Sequence, residues 1–189
     1  MGIFLALLHH PVLTRHGDVG TTAVTNVDIH DLARTGRTYG VETLFLVTPI
    51  ELQRELVGRI LRHWTVGSGG SRNRTRAEAL ARCEVVPALE DAVRRVTEVA
   101  GERPQVVVTG AGLRQGTTPF KELRRRLAVP SPPYLVLFGT GYGLAPEVIS
   151  GADILLPAID GPQGPGGYNH LPVRSAVAII LDRLLGSVE

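Results

Sequence analysis

Two clusters of glycine follow short apolar runs in this sequence, and they are the residues best suited to surround a small ligand. Gly110 and Gly112 come directly after QVVVT, and Gly139, Gly141 and Gly143 come directly after YLVLF. Glycine lets a backbone approach a ligand closely and adopt positive φ. The runs ADILLPAIDG and YNHLPVRS follow in quick succession. This layout predicts several loops folded tightly around one small, flat ligand.

A dinucleotide such as NAD is the competing ligand for such loops. The glycine spacing is GxGxG after YLVLF and GxGxxxG after QVVVT, whereas a dinucleotide fingerprint has GxGxxG. Asp160 does lie about twenty residues beyond Gly139, where a ribose-binding acid is expected. However, only LAPEVIS is available as a crossover, and too little chain follows to complete a doubly wound sheet. A nicotinamide-dependent oxidoreductase therefore stays an alternative.

Metal and nucleophile chemistry have weaker candidates. His9 and His10 are adjacent and would point to opposite faces of a strand, and no histidine pair has zincin spacing with an acid partner. Cys83 has no activating pattern nearby, and the sequence contains neither a GxSxG elbow nor a Walker loop. We therefore predict no metal site, and we expect Cys83 to be a small core residue.

The segment 65–76, TVGSGGSRNRTR, combines glycine and serine with arginine, and it is predicted to be a flexible loop. Its three arginines, Arg72, Arg74 and Arg76, could close on an RNA backbone through phosphate contacts. His63 and Trp64, just before it, could stack on a base. A solvated surface loop and a core tryptophan remain the alternatives.

Short β-rich runs alternate with longer amphipathic segments along the chain. The predicted strands are 3–8, 43–47, 83–86, 105–109, 134–138 and 153–159, and the predicted helices are 26–39, 50–65, 88–100, 119–127 and 172–186. Asn26 or Asp28 is placed to cap the first helix. The alternation predicts an α/β fold with a mostly parallel sheet flanked by helices, in a single domain spanning residues 1–189.

The composition is that of an ordinary globular protein, with 43% hydrophobic and 20% charged residues. A single cysteine excludes an internal disulfide and fits a reducing cytoplasm, and no apolar run reaches the roughly 18 residues of a membrane span. The net charge is +2, but 19 of the 20 basic residues are arginine, with Lys121 as the one lysine. Arginine suits phosphate binding, although a GC-rich genome would also enrich it.

Four blocks of this sequence occur in the order of the motifs of a known superfamily. They are NVDIHDLARTGRTYGVETLFLV, YLVLFGTGYGL, ILLPAIDG and YNHLPVRSAVAIILDRLL. Together they resemble the SpoU-like RNA methyltransferases of the SPOUT superfamily, which use S-adenosylmethionine (SAM). The chain is also similar to a compact bacterial subfamily, some members of which are fused to the tRNA guanine-N1 methyltransferase. This resemblance implies the SPOUT fold, with a C-terminal deep trefoil knot, in a cytoplasmic homodimer.

The resemblance implies a SAM site built by three loops and by the turn before the last helix. The implied site residues are Thr109 and Gly110 beside the ligand, Gly139, Thr140 and Gly141 as a second wall, Leu156, Pro157 and Ile159 as backbone partners of the adenine, and Asn169, His170, Leu171 and Val173 as the floor.

The resemblance also implies candidate catalytic residues. Arg34 aligns with the arginine of the first motif, and its guanidinium, which stays protonated and so cannot act as a base, would orient the substrate and bind phosphate. The chain departs from the ribose methyltransferases because Asp28 replaces an asparagine, GTGYG lacks a glutamate and Tyr168 replaces a serine. These departures leave base methylation open, with Asp28, Asp31 or His170 as the proton acceptor.

The sequence thus predicts a SAM-dependent methyltransferase that acts on tRNA or rRNA without a metal. A noncatalytic module that keeps the SAM pocket and docks RNA or a partner protein is the second hypothesis. The nicotinamide-dependent oxidoreductase is the third.

Overall fold

The computed structural model describes residues 2–129, 132–164 and 167–187. The strands are β1 (Ile3–Leu8), β2 (Val12–Leu13), β3 (Val19–Gly20), β4 (Leu44–Val47), β5 (Cys83–Val86), β6 (Gln105–Val108), β7 (Tyr134–Gly139) and β8 (Ile154–Leu155). The helices are α1 (Asn26–Thr38), α2 (Glu51–Thr65), α3 (Ser68–Arg72), α4 (Arg74–Leu80), α5 (Leu89–Ala100), α6 (Phe120–Leu127), α7 (Pro146–Ser150) and α8 (Val173–Leu185).

Six of the strands form one parallel sheet, in the order β5–β4–β1–β7–β6–β8. Every adjacent pair in this sheet is parallel, and β2 and β3 form a separate antiparallel hairpin. The central strand β1, IFLALL, is buried along its whole length, as a parallel strand covered on both faces must be. The predicted α/β fold with a mostly parallel sheet is confirmed.

The two faces of the sheet are covered by different helices. Apolar residues of α1, α2, α4, α6 and α8 pack on one face, and those of α5 and α7 pack on the other. The last helix, α8, contacts α1, α6 and β7. Within the described ranges, none of the helices combines the length and the apolar character that crossing a membrane requires.

Helix α1 begins at Asn26 as predicted, but its capping residue differs from the two predicted ones. The N-cap is Thr25, not Asn26 or Asp28, because Thr25 has extended backbone angles and its Oγ1 accepts a hydrogen bond from the Asp28 N–H at 3.2 Å. The Thr25 hydroxyl donates in turn to Asp28 Oδ2 at 2.6 Å. Only the threonine half of a capping box is formed, because Asp28, at the third helical position, accepts from the Thr25 hydroxyl and not from its backbone N–H.

The prediction of a flexible loop over 65–76 is wrong, because most of that segment is helical. It contains α3 and the start of α4, and Asn73 caps α4 by accepting the Arg76 N–H at 3.0 Å. The glycines allow close packing: a Cβ on Gly70 would lie 2.7 Å from the Trp64 carbonyl oxygen. The low helix propensity of glycine is thus offset by its fit against the end of α2.

The parallel strands place their carboxyl ends at one edge of the sheet. The residues that follow β1, β6, β7 and β8 are His9, Thr109, Thr140 and Leu156. The last predicted strand, 153–159, is only two residues long in the structure (Ile154–Leu155), so the chain leaves the sheet at Leu156. Ligands of open α/β sheets bind outside the carboxyl ends of the strands, so this edge is the candidate ligand-binding site.

Candidate active site

The loop after β6 begins at Thr109, which is buried and tied to the neighbouring strand. Its Oγ1 donates to the Leu137 carbonyl oxygen at 2.8 Å, and its N–H donates to the same oxygen at 3.2 Å. The chain then turns at Gly110, whose carbonyl accepts the Leu113 N–H. The first predicted wall of the cofactor site is therefore fixed to β7 from its first residue.

The loop after β7, GTGYG, is a tight turn held against the β2–β3 hairpin. Gly141 has a φ of +61°, and a Cβ there would lie 3.1 Å from the Leu13 carbonyl oxygen. A Cβ on Gly139 would lie 2.9 Å from the Leu144 backbone nitrogen. Both glycines are therefore required by the turn itself, because a side chain at either position would meet backbone atoms.

The stretch after β8 keeps backbone groups available for a ligand. The Leu156 N–H donates to the Val108 carbonyl at 2.9 Å, and the Ala158 N–H donates to the Leu113 carbonyl at 3.1 Å. In the described contacts, neither the Pro157 carbonyl nor the Ile159 N–H makes a backbone hydrogen bond. That pair of an acceptor and a donor suits the edge of a flat heterocycle such as adenine.

The segment before α8 joins the other loops through one carboxylate. Arg114 Nη1 lies 2.6 Å and 2.7 Å from the two carboxylate oxygens of Asp160, and Asn169 Nδ2 donates to Asp160 Oδ1 at 3.3 Å. The loop after β6 and two points of the connection between β8 and α8 therefore meet at Asp160. A nicotinamide site would use the Asp160 carboxylate to bind ribose. Here that carboxylate pairs with Arg114, which argues against a nicotinamide-dependent oxidoreductase.

The remaining floor residues differ in exposure. His170 is exposed, and its ring lies 5.3 Å from that of Tyr168. Leu171 is 43% exposed, whereas Val173 is half-buried at the start of α8 and packs against the core. The predicted floor is therefore open to a ligand from the side of His170 and Leu171.

A polar network beside GTGYG was not anticipated from the sequence. Thr140 Oγ1 donates to the Leu8 carbonyl at 3.0 Å and lies 2.5 Å from Thr22 Oγ1, which lies 3.0 Å from His9 Nδ1. Burial lowers the pKa of His9 to about 4, against an opposing effect of Asp28, so His9 is neutral at neutral pH. The sequence shows only that His9 and His10 are adjacent. That adjacency argues against a shared metal and does not indicate the contact between His9 and Thr22.

Asp28 is buried at the junction of the first and last helices. Its Oδ1 accepts from Arg174 Nη1 at 2.8 Å, and Arg174 Nε lies 3.5 Å from Asp31 Oδ2. The structure thus brings two of the candidate proton acceptors, Asp28 and Asp31, onto one arginine of α8. Arg174 was not identified from the sequence, because nothing local links it to residues so far away in the chain.

Arg34, another predicted catalytic residue, lies apart from Asp28. Arg34 is exposed on α1 and lines a shallow groove of about 220 Å³ between α1 and α4, together with Arg37 and Arg76. It follows Asp28 by six residues, so the two side chains emerge from different faces of the helix. In the described contacts, neither Arg34 nor His170 bonds to Asp28.

The predicted RNA-binding arginines are spread over two helices. Arg72 ends α3 and is exposed, and Arg74 pairs with Glu78 at 3.2 Å. The Arg76 guanidinium lies over the ring of Trp64, 5.2 Å from its centroid. Over the part of the chain that the structure describes, no group of three His, Cys, Asp or Glu residues is arranged to hold a metal.

Comparison with known proteins gives sequence relatives that cover nearly the whole chain. The chain is 43% identical, over 97% of its length, to a tRNA (guanine-N(1)-)-methyltransferase of Nitratidesulfovibrio vulgaris, of which it spans 42%. It is 35% identical to an uncharacterised protein of Aquifex aeolicus, over 96% of this chain and 87% of that protein. The chain thus spans less than half of the first relative and most of the second.

Solved structures share the fold at low sequence identity. TrmJ from Z. mobilis superposes with a TM-score of 0.60 and 17% identity, over 99% of this chain and 69% of that one. A TrmH/SpoU tRNA modifying enzyme from A. aeolicus superposes with a TM-score of 0.55 and 15% identity, over 97% of this chain and 73% of that one. These similarities confirm the expected fold class.

The family described as SAM-dependent RNA methyltransferase matches residues 2–186 of the sequence. That match covers all four glycine-bearing and closing segments from which the cofactor site was predicted. It leaves the nicotinamide-dependent oxidoreductase without support. By the extent of this match and by its fold, the chain belongs to the family of SAM-dependent RNA methyltransferases.

Proposed function

We propose that this chain binds SAM at the carboxyl edge of its parallel sheet and transfers the methyl group to RNA. The observation that carries the proposal is that the loop after β6 bonds through Arg114 to Asp160, which also bonds to Asn169 before α8. These contacts lie at the same edge of the sheet as the glycine turn after the neighbouring strand β7. Family membership supports both the cofactor and the class of substrate.

The residues at this edge fit SAM. The cofactor supplies an electrophilic methyl group on its sulfonium, and transfer depends chiefly on positioning. The Pro157 carbonyl and the Ile159 N–H would bind the adenine edge. The proposed lining is Thr109, Gly110, Gly139, Thr140, Gly141, Leu156, Pro157, Ile159, Asn169, His170, Leu171 and Val173.

The contacts of the chain after β8 support a C-terminal trefoil knot. β8 lies at the outer edge of the sheet beside β6, whereas α8 packs against β7 and α1, nearer its centre. On its way back the chain is held by the 109–119 loop, since the Thr118 N–H donates to the Leu155 carbonyl at 2.8 Å and the Ala158 N–H donates to the Leu113 carbonyl. A chain threaded through that loop would make these contacts, as a rare exception to the rule against knots.

The candidate catalytic residues take different roles in this proposal. His170 is exposed beside the predicted floor, so its imidazole could accept the proton that the methylated atom loses. Asp28, held by Arg174 and Thr25, would keep α1 and α8 in place and act on the substrate through that positioning. Arg34, on the outer face of α1, would bind substrate phosphate and orient the target nucleotide.

The RNA partner is proposed as a tRNA or an rRNA. The name of the Nitratidesulfovibrio protein supports tRNA, but this chain corresponds to 42% of that protein, so the modified base is left open. Arg72, Arg74 and Arg76 would add phosphate contacts along α3 and α4.

A cytoplasmic homodimer of a single methyltransferase domain completes the proposal. The stretch 176–181 of α8 is entirely apolar, yet Ile179 within it is only half-buried. A second copy packed along α8 would cover it. A reducing cytoplasm suits Cys83, because burial raises the pKa of its thiol to about 12 and keeps it protonated.

Transfer of a labelled methyl group tests this proposal. We expect the purified protein to move label from methyl-tritiated SAM into bulk tRNA or rRNA, and nuclease digestion to recover that label in one modified nucleoside. Boiled protein and RNA-free reactions are the controls. SAM binding with no transfer to either RNA fraction would favour the noncatalytic docking module.

A further inference from the structure

An open groove of about 500 Å³ lies between α1, α2 and α4, and none of the proposed cofactor residues lines it. The lining residues are Asn26, His30, Arg59, Ile60, His63, Trp64 and Arg76. Two imidazoles, an indole and two guanidiniums therefore line one groove. Those side chains are the ones that proteins use to stack on bases and to bind phosphates.

Trp64 is the centre of this groove, and its ring is held in a defined position. The His30 ring meets it edge-on at 5.4 Å and 81°, and the His63 ring does so at 5.3 Å and 87°. The Arg76 guanidinium lies 5.2 Å from the Trp64 centroid. Because the Arg76 guanidinium already lies over one face of the indole, an incoming base would stack on the outer side of that guanidinium or on indole surface that it leaves open.

Two polar atoms of the groove are buried without a partner. Across the described residues, the buried side-chain nitrogens or oxygens that make no hydrogen bond are His9 Nε2, His30 Nδ1 and Arg76 Nε. The last two belong to this groove. Leaving such atoms unpaired destabilises the fold, and a ligand could pair them once the His30 ring or the Arg76 side chain turns toward the groove.

His30 is suited to a base edge because it is neutral. Burial lowers its pKa, Arg76 lowers it further, Asp31 on the same helix opposes the shift, and Arg34 adds to it. A neutral imidazole offers one donor and one acceptor, which matches the alternating donors and acceptors of a base better than an all-acceptor phosphate.

Positive charge continues from this groove into the next one along α1. Arg76 lines both grooves, and Arg34 and Arg37 line the second. Asn26, His30 and Arg34 recur every four residues on α1, so they form one stripe along the helix. A strand of nucleic acid following that stripe would pass its phosphates from Arg59 to Arg34.

We propose that the groove around Trp64 binds an unpaired nucleotide of the RNA substrate outside the methylated position, with the base against Trp64 and His30 and the flanking phosphates at Arg59 and Arg34. This inference rests on the proposed RNA substrate, and it names where that RNA is held.

Trp64 is the single tryptophan of the chain, so its emission reports on the groove directly. We expect a single-stranded oligoribonucleotide to quench this emission at saturation. Arg59→Glu should weaken binding of the same fluorescently labelled RNA about tenfold and lower the salt slope by about one. Arg125→Glu, an equal charge reversal at an exposed position of α6, should leave both unchanged, and SAM affinity should stay the same in all variants.

A second pair of variants tests stacking. Trp64→Ala should weaken RNA binding roughly tenfold, and Trp64→Phe should restore most of it, because any aromatic face can stack. Trp64 also packs against the core, so thermal unfolding is measured for both, and Arg59→Glu remains decisive if the alanine variant unfolds.

Three results would overturn the inference. The first is Trp64 emission that does not change at saturating RNA. The second is equal RNA affinity of the Arg59→Glu and Arg125→Glu variants. The third is an emission change that depends on protein concentration alone, which would assign the groove to a second copy of the chain. Methyl transfer by the unaltered protein separates the two proposals. Transfer without a response at Trp64 removes only the groove, and a response without transfer removes only the enzymatic proposal.

Discussion

Arg34→Ala is expected to reduce methyl transfer by at least about 100-fold while SAM affinity stays within about threefold. The reason is position: Arg34 is exposed on α1 beside Arg37 and Arg76 and does not belong to the loops proposed to hold the cofactor. Its loss should misplace the RNA and leave the SAM site intact. Transfer is measured with labelled SAM, and SAM affinity by calorimetry.

Arg37→Ala is the matched control for that variant. Arg37 lies one turn further along α1 and lines the same shallow groove, so its removal takes away an equal charge at a similar depth. We expect a loss of transfer below about tenfold, as for one phosphate contact. Equal losses in the two variants would reduce Arg34 to one of several interchangeable cations, and a loss of SAM binding in Arg34→Ala would mean that the residue belongs to the cofactor site.

Gly141→Val is expected to lower SAM affinity roughly 100-fold, equivalent to about 2.7 kcal/mol. The residue has a φ of +61°, and its new Cβ would approach the Leu13 carbonyl oxygen at 3.1 Å and Thr22 Cγ2 at 3.2 Å. The turn would have to open away from the hairpin and move the second wall of the site. Calorimetric titration with SAM measures the effect.

Gly101→Val separates this effect from general strain. Gly101 ends α5 with a φ of +81°, and a Cβ there would meet nothing within 4 Å. Both variants should lose stability from a left-handed β-branched residue, of about 1–2 kcal/mol, seen as a lower unfolding temperature. Only Gly141→Val should lose SAM. An unchanged SAM affinity in Gly141→Val would remove GTGYG from the cofactor site.

Helix α1 links the two proposed sites. Its first turn holds Asp28 against Arg174 of α8, beside the cofactor edge, and its outer face carries His30 and Arg34 along the two grooves. A substrate bound to the outer stripe is therefore positioned by the same rigid element that anchors the C-terminal segment. This connection explains why the arginine of the first motif can matter although it lies apart from the candidate proton acceptors.

The elements of this fold could be predicted from the sequence because their patterns are local. The β1 run IFLALL is apolar throughout, as a strand buried on both faces must be, and α1 shows helical periodicity. The glycine loops were located for the same reason, since each follows such a run directly.

The features that the sequence did not reveal depend on contacts between distant residues. Nothing near Gly69 and Gly70 indicates a helix, but α3 packs so closely on the end of α2 that a Cβ on either glycine would lie within 3 Å of His63 or Trp64. The Asp28–Arg174 pair joins residues 146 positions apart, and Thr22 meets Thr140 across 118 positions. Such pairs form only when the order of the strands in the sheet brings distant parts of the chain together. No local sequence pattern indicates that order.

Calorimetric titration of the purified protein with SAM, with NAD as the control ligand, tests the central claim most directly. We expect binding on the order of micromolar, close to one SAM per chain, with no binding of NAD. The absence of SAM binding, or binding of NAD in its place, would contradict the assignment of the carboxyl edge as a SAM site.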